Sequence, residues 1–103
     1  MAIFDELSEM DGVKFSIGGS GLNTASAARF LFDQNDYATD GVTYFGSIGA
    51  DSRGELLEKH LKQSDLIPQL FKTNELGTGA SAAIVVDGER TLCADIAASV
   101  KYP

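Results

Sequence analysis

The chain has 103 residues, long enough for one small core and too short for two. Eight Lys plus Arg stand against fifteen Asp plus Glu, a formal net charge of −7 at pH 7 with the basic residues scattered, which argues against nucleic acid or an anionic membrane as main partner. The single Cys93 cannot close an internal disulfide and favours a reducing, cytosolic setting. The N-terminus has no signal-peptide pattern and no apolar run approaches bilayer length, so a soluble, intracellular protein is expected.

Residues Ala2 to Met10 set Ile3, Phe4 and Leu7 among acids, the pattern of a short amphipathic helix ending near Asp11-Gly12. Val13-Lys14-Phe15-Ser16-Ile17 alternates apolar with polar, which predicts a half-buried strand running into Gly18-Gly19-Ser20-Gly21-Leu22-Asn23. Three glycines in four positions leave backbone open to close approach, and Ser20 is placed to cap a helix over Leu22 to Phe32. Helix-entry N–H groups lack intrahelical partners, and the Asn23 amide adds a donor and an acceptor, a combination suited to hydroxyls or phosphates. A tight turn without a ligand explains the glycines equally well. Within the helix, Leu22, Ala25, Ala28 and Phe32 recur at helical spacing and read as core.

Asp33 to Asp36 and Thr39-Asp40-Gly41 have loop composition around a short break. Val42-Thr43-Tyr44-Phe45 predicts a strand ended by Gly46 to Gly49, and Asp51 or Ser52 opens the next helix, with Ser52-x-x-Glu55 as a capping-box pattern. Leu56, Leu57 and Leu61 form its apolar face, while Glu55 with Lys59 and Glu58 with Lys62 have i,i+4 spacing. A helix cap accounts for Asp51 better than a ligand role does, and His60, with no nucleophile or acid at triad spacing, reads as structural. Pro68 stops the helical pattern, and Leu70-Phe71 is expected as a short strand before a loop over Asn74 to Gly79. The alternation of strands and helices implies an α/β layer.

Ala80 to Val86, a turn at Asp87-Gly88-Glu89, and Arg90 to Ile96 form the clearest hairpin. A two-residue connection puts Ser81, Ala83 and Val85 on one face with Arg90, Leu92 and Ala94; a three-residue loop breaks that alignment. The face suits a flat, partly polar ligand, although core packing explains its apolar members equally well and leaves only Arg90 unexplained. Taken alone, Arg90 beside a turn reads as a solvated charge. Cys93 alternates to the other face and is expected to be a buried small apolar residue.

These residues together resemble adenosine kinases of the ribokinase-like (PfkB) sugar kinase superfamily. Gly18-Gly19-Ser20-x-x-Asn23 is similar to the first family signature, with Ser where ribokinases commonly have Lys. Phe45-Gly46-Ser47-Ile48-Gly49-Ala50-Asp51-Ser52-Arg53-Gly54 is similar to the G-x-I-G-x-D-x-x-G segment, and Gly77-Thr78-Gly79 with the hairpin to Ala98 is similar to the substrate-covering lid. The resemblance implies an α/β, partial ribokinase-like fold, a Rossmann-like layer plus a β-hairpin of the lid. Residues 1–103 would be the N-terminal part of a kinase domain, with 13–17 and 80–96 as lid strands and 18–63 as the α/β layer. The implied reaction moves the γ-phosphoryl group of ATP to the 5′-hydroxyl of adenosine, with Mg²⁺ present.

Carried over by position, Gly19, Ser20 and Asn23 would bind the nucleoside, Gly19 through its backbone and Asn23 through its amide on the ribose hydroxyls. Ser81, Leu92 and Ala94 fall where lid residues contact the nucleoside, and Arg90 falls where the family holds phosphate. The resemblance also implies purine salvage, a monomeric parent enzyme, a cytoplasmic setting with the nucleus as a second location, and adenosine or a similar nucleoside as partner. The family's leading strand with its ribose-gripping Asp and its closing D-T-x-G-A-G-D-like segment have no counterpart here, so the catalytic base and most of the ATP site are expected outside this chain. The 103 residues alone are expected to be inactive, with open strand edges that threaten stability. A non-catalytic nucleoside-binding, sugar-binding or interaction module, a truncated product, and another PfkB-type sugar kinase are the alternatives.

Overall fold

The computed structural model describes residues 2–35 and 41–103. Helix α1 (Ala2–Ser8) is followed by α2 (Ser20–Gln34), strand β1 (Val42–Gly49), helix α3 (Ser52–Gln63), strand β2 (Leu66–Thr73), the hairpin β3 (Ala80–Val86) and β4 (Glu89–Asp95), and a 3₁₀ helix Ala97–Lys101. Part of the loop expected over 33–41 lies outside the described residues.

Strands β1 and β2 pair in parallel from Val42 opposite Leu66 to Gly49 opposite Thr73, with α3 as the crossover. One face of this sheet is the core. Leu22 and Ala25 from α2, Leu61 from α3 and Leu66 from β2 are buried together, with Ile17, Val42, Tyr44, Leu57 and Leu70 packed around them. The apolar spacing on both helices has its cause here, since each turns one stripe toward the sheet. Ala28 and Phe32 extend the α2 stripe half-buried, whereas Leu56 of α3 is exposed. The opposite face, carrying Phe45, Ile67 and Phe71, is largely uncovered among the described residues.

Four expectations need correction. Residues 13–17 form no strand, because no second strand lies alongside to pair with them among the described residues. Strand β1 does not end at Gly46; it continues through two glycines whose lack of a side chain admits close neighbours. A Cβ on Gly46 would lie 2.8 Å from the Tyr44 ring, and one on Gly49 would lie 2.5 Å from the Leu76 carbonyl oxygen. Strand β2 begins at Leu66 and contains Pro68, which is tolerated because, among the described residues, no further strand pairs with the other edge of β2. Finally, Ser20 is the first residue of α2 rather than its cap. Gly19, at φ 106° and ψ 142°, occupies the cap position with no side-chain hydrogen bond to the helix.

The hairpin has the two-residue turn Asp87-Gly88, with φ of 51° and 80°, both left-handed as a twist-matched hairpin turn requires. Its main packing partner is α1, through β3, while α2 packs chiefly on β1 and β2. Phe4 of α1 is buried, with the Arg53 guanidinium 6.0 Å from its ring centroid.

Candidate functional site

The glycine turn and the hairpin carry the candidate residues. At the turn, Gly19 accepts the first helical hydrogen bond from the Asn23 N–H at 2.9 Å, and the Thr24 hydroxyl donates to the Ser20 carbonyl at 2.8 Å. Gly18, Gly19, Ser20 and Asn23 are all exposed, and the N–H groups of Ser20 and Gly21 point out of the first turn without an intrahelical acceptor. The backbone donors and the Asn23 amide are therefore accessible from solvent on one side of the helix entry.

On the hairpin, Ser81 stands opposite Ala94, Ala83 opposite Leu92, and Val85 opposite Arg90. Directly opposed residues share a face, so the six residues grouped by parity lie together. All six are exposed. Packing within the chain therefore does not account for the apolar members, and a small, mostly apolar surface with one hydroxyl and one guanidinium is left open. Cys93 lies on the other face, opposite Ala82, and it is exposed rather than buried, because that face is covered only near Ala80 and Ala82.

At the end of β1, where α3 and the root of the hairpin meet, sits a cluster that periodicity did not reveal. Asp51 caps α3 by accepting from the Gly54 N–H at 2.8 Å through Oδ1, as expected of a helix cap. The capping role therefore belongs to Asp51, not Ser52. The same oxygen accepts from the Thr78 hydroxyl at 2.6 Å, and Oδ2 accepts from the Thr78 N–H at 2.8 Å. Thr78 Oγ1 accepts in turn from the Gly49 N–H at 3.0 Å. Burial alone would push the Asp51 carboxyl up. The Thr78 hydroxyl, the Thr78 and Gly54 N–H groups and the nearby Arg53 charge outweigh it and hold the group below the usual aspartate range.

Two glycines leave room for this cluster: a Cβ on Gly54 would meet the Gly49 carbonyl oxygen at 2.5 Å, and one on Gly77 would meet Asp51 Oδ2 at 3.1 Å. The spacing G-x-x-G-x-D-x-x-G is thus a packing requirement. Its partner Thr78, 27 positions on, could not be read from local pattern. His60 is a half-buried member of α3 with Ser64 Oγ 3.5 Å from Nε2.

The profile of the pfkB family of carbohydrate kinases matches residues 2–102. The chain belongs to this family. Among its curated relatives, adenosine kinase of Saccharomyces cerevisiae is 34% identical over 99 residues, 96% of this pfkB chain and 28% of the relative. Adenosine kinase 1 of Arabidopsis thaliana is 26% identical over 102 residues, again 28% of its length. Among solved structures, the apo adenosine kinase of Trypanosoma brucei brucei superposes with a TM-score of 0.83 at 34% identity, covering 99% of this chain and 30% of that one. The ribokinase of Giardia lamblia shares the fold at 20% identity, with a TM-score of 0.67 over 86% of this chain and 28% of that one.

The fold is thus part of the ribokinase-like α/β fold of adenosine kinases. This pfkB chain spans about 28% of the length of the curated relatives it matches. No described helix is long and apolar enough to cross a membrane.

Proposed function

We propose that this chain carries part of the nucleoside site of an adenosine-kinase-like enzyme, one that transfers the γ-phosphoryl group of ATP to the 5′-hydroxyl of adenosine in purine salvage. The observation that carries the reading is the uncovered hairpin face on which Ser81, Leu92, Ala94 and Arg90 stand together. It is supported by the adenosine kinases among its relatives and by the solved structure of the Schistosoma mansoni enzyme in complex with adenosine.

In this reading the Gly19 backbone and the Asn23 amide hold the ribose diol, which presents two donors and acceptors to match. Ser81, Leu92 and Ala94 lie against the flat base, and Arg90 offers a cation to a phosphate. Ser20, the exposed first residue of α2, flanks the ribose side. Mg²⁺ would neutralise phosphate charge, but no cluster of three His, Cys, Asp or Glu side chains able to hold an ion is found among the described residues, so no step is assigned to it. The acidic balance supports a small neutral ligand over nucleic acid. The same reading has the parent enzyme monomeric and cytoplasmic.

The test is a two-dimensional amide spectrum of the 103-residue chain with and without adenosine. Shifts concentrated at Gly19, Asn23, Ser81, Leu92 and Ala94 are the expected result, with no AMP formed on adding ATP and Mg²⁺. A dispersed spectrum that adenosine leaves untouched would remove nucleoside binding from this chain.

A further inference from the structure

The body of the hairpin is mostly exposed, and a two-stranded hairpin is marginal by itself, so its orientation depends on α1, which packs on β3, and on how its two roots are held. Both roots converge on the end of β1. The root entering β3 is tied by the Thr78 hydroxyl and N–H to Asp51, and by Thr78 Oγ1 to the Gly49 N–H. The root leaving β4 is tied by the Ala98 N–H to the Gly77 carbonyl at 2.9 Å, and by the Ser47 hydroxyl, which donates to the Ala98 carbonyl at 2.6 Å. Ala98 is fully buried there. At the neck, Gly79 passes so close to Ile96 that a Cβ would lie 3.0 Å from its carbonyl oxygen.

Of these five hydrogen bonds, the three that do not involve Asp51 are neutral, and they join the two roots to each other or to β1. Charged groups act at both roots: Lys101 Nζ lies 2.6 Å from Glu75 Oε2, and Asp95 Oδ1 accepts from the Ala97 N–H at 3.2 Å. Of the charged groups named here, Asp51 is the one that ties a root to α3, whose first turn it caps with the same carboxylate.

We infer that Asp51 and Thr78 are positioning residues, which fix the angle at which the hairpin leaves the α/β layer and so aim the face bearing Ser81, Leu92 and Ala94. The inference rests on the proposed nucleoside site for what the face is aimed at. It does not rest on that site for the geometry. Thr78 can turn away from Asp51 without uncapping α3, because the Gly54 N–H remains on Oδ1. The hairpin can therefore swing while the layer stays folded.

The test measures orientation without any nucleoside, so its failure is distinct from failure of the proposed function. Spin labels on the exposed Cys93 of β4 and on a Lys59→Cys variant of α3 report the distribution of distances between hairpin and layer. Thr78→Val, which removes the hydroxyl and keeps the shape, should broaden or shift that distribution, and Thr78→Ser should restore it. Asp51→Asn separates the two duties, because an asparagine still caps α3 but presents an N–H₂ where the Thr78 N–H needs an acceptor. In Asp51→Asn, exchange at the Thr78 and Gly79 amides should accelerate about 10- to 100-fold while the α3 amides stay protected.

An unchanged distance distribution in both Thr78→Val and Asp51→Asn overturns the inference. So does a distribution that Thr78→Ser fails to restore, or loss of α3 protection in Asp51→Asn, which would mean that the pair holds the fold and not the angle.

Discussion

Ser81 and Ala94 face one another across the hairpin and neither is packed against the rest of the chain. A surface built of such pairs contributes little to folding, so its residues are free to be chosen for a ligand. Leu92→Ala should lower stability by less than about 0.5 kcal/mol, as for an ordinary surface change. The fully buried Leu61, truncated in the same way, should cost about 2 to 5 kcal/mol. Urea denaturation of the two variants separates the classes, and the adenosine-induced shifts should shrink in Leu92→Ala alone. A loss of stability in Leu92→Ala matching that of Leu61→Ala would return the face to the core.

The paired glycines at the entry to α2 should behave differently from each other. Gly19 sits at φ 106° and ψ 142°, a region nearly closed to other residues, while Gly18 has no positive φ and nothing within 4 Å of the place a Cβ would take. Gly19→Ala should cost about 1 to 3 kcal/mol through backbone strain. Gly18→Ala should be nearly silent in thermal unfolding.

At Gly49 and Gly54 the penalty comes from backbone neighbours rather than from φ. An added Cβ at either would stand 2.5 Å from a carbonyl oxygen, of Leu76 and Gly49 respectively. Each Ala variant should lose about 1 to 3 kcal/mol by overpacking, read as a lower urea midpoint. Wild-type midpoints in both would contradict the close packing of β1 against the hairpin root.

The hydrogen bonds on Asp51 also set an acid dependence. Its carboxyl lies below its ordinary value of 3.8 when folded, so between that value and the folded one the unfolded chain binds the extra proton. The associated stability is complete above the ordinary value and is lost as pH falls through the folded one. Stability measured from pH 6 downward should fall less steeply in Asp51→Asn than in the parent chain below about pH 4. Equal slopes would mean that Asp51 is not held in its charged form.

The exposure of Cys93 gives a direct check on its corrected placement. A maleimide should label the native chain at a rate close to that of the urea-unfolded chain at the same pH. Strong protection in the native chain would bury the thiol after all.

The hairpin and its facing were legible because turn length and period-two alternation fix register without reference to the rest of the fold. Helix α3 was legible for a similar reason, since its cap and apolar stripe are local. Pro68 misled because a proline signals a break in a helix but is admissible on a strand with a free edge, and free edges are properties of topology. Val13 to Ile17 has the alternation of a strand, yet pairing requires a neighbour, which alternation does not supply. The link from Asp51 to Thr78 is the largest omission. A cap satisfied the local account of Asp51, and nothing in spacing announced that its second oxygen was committed to a residue on the far side of α3 and β2.

The turn of Asp87 and Gly88 carries a consequence for how such a site can diverge. Exchanging exposed hairpin residues one at a time alters the ligand surface while leaving its scaffold alone. Adding a single residue at the tip, with a two-residue turn re-formed, would instead bring Thr91 and Cys93 round to the face of Ser81 and Ala83 in place of Leu92 and Ala94. Over generations, substitution can retune this surface gradually, whereas an insertion or deletion of one codon replaces it in a single step. The length of the hairpin is therefore the more heavily constrained of its two kinds of information.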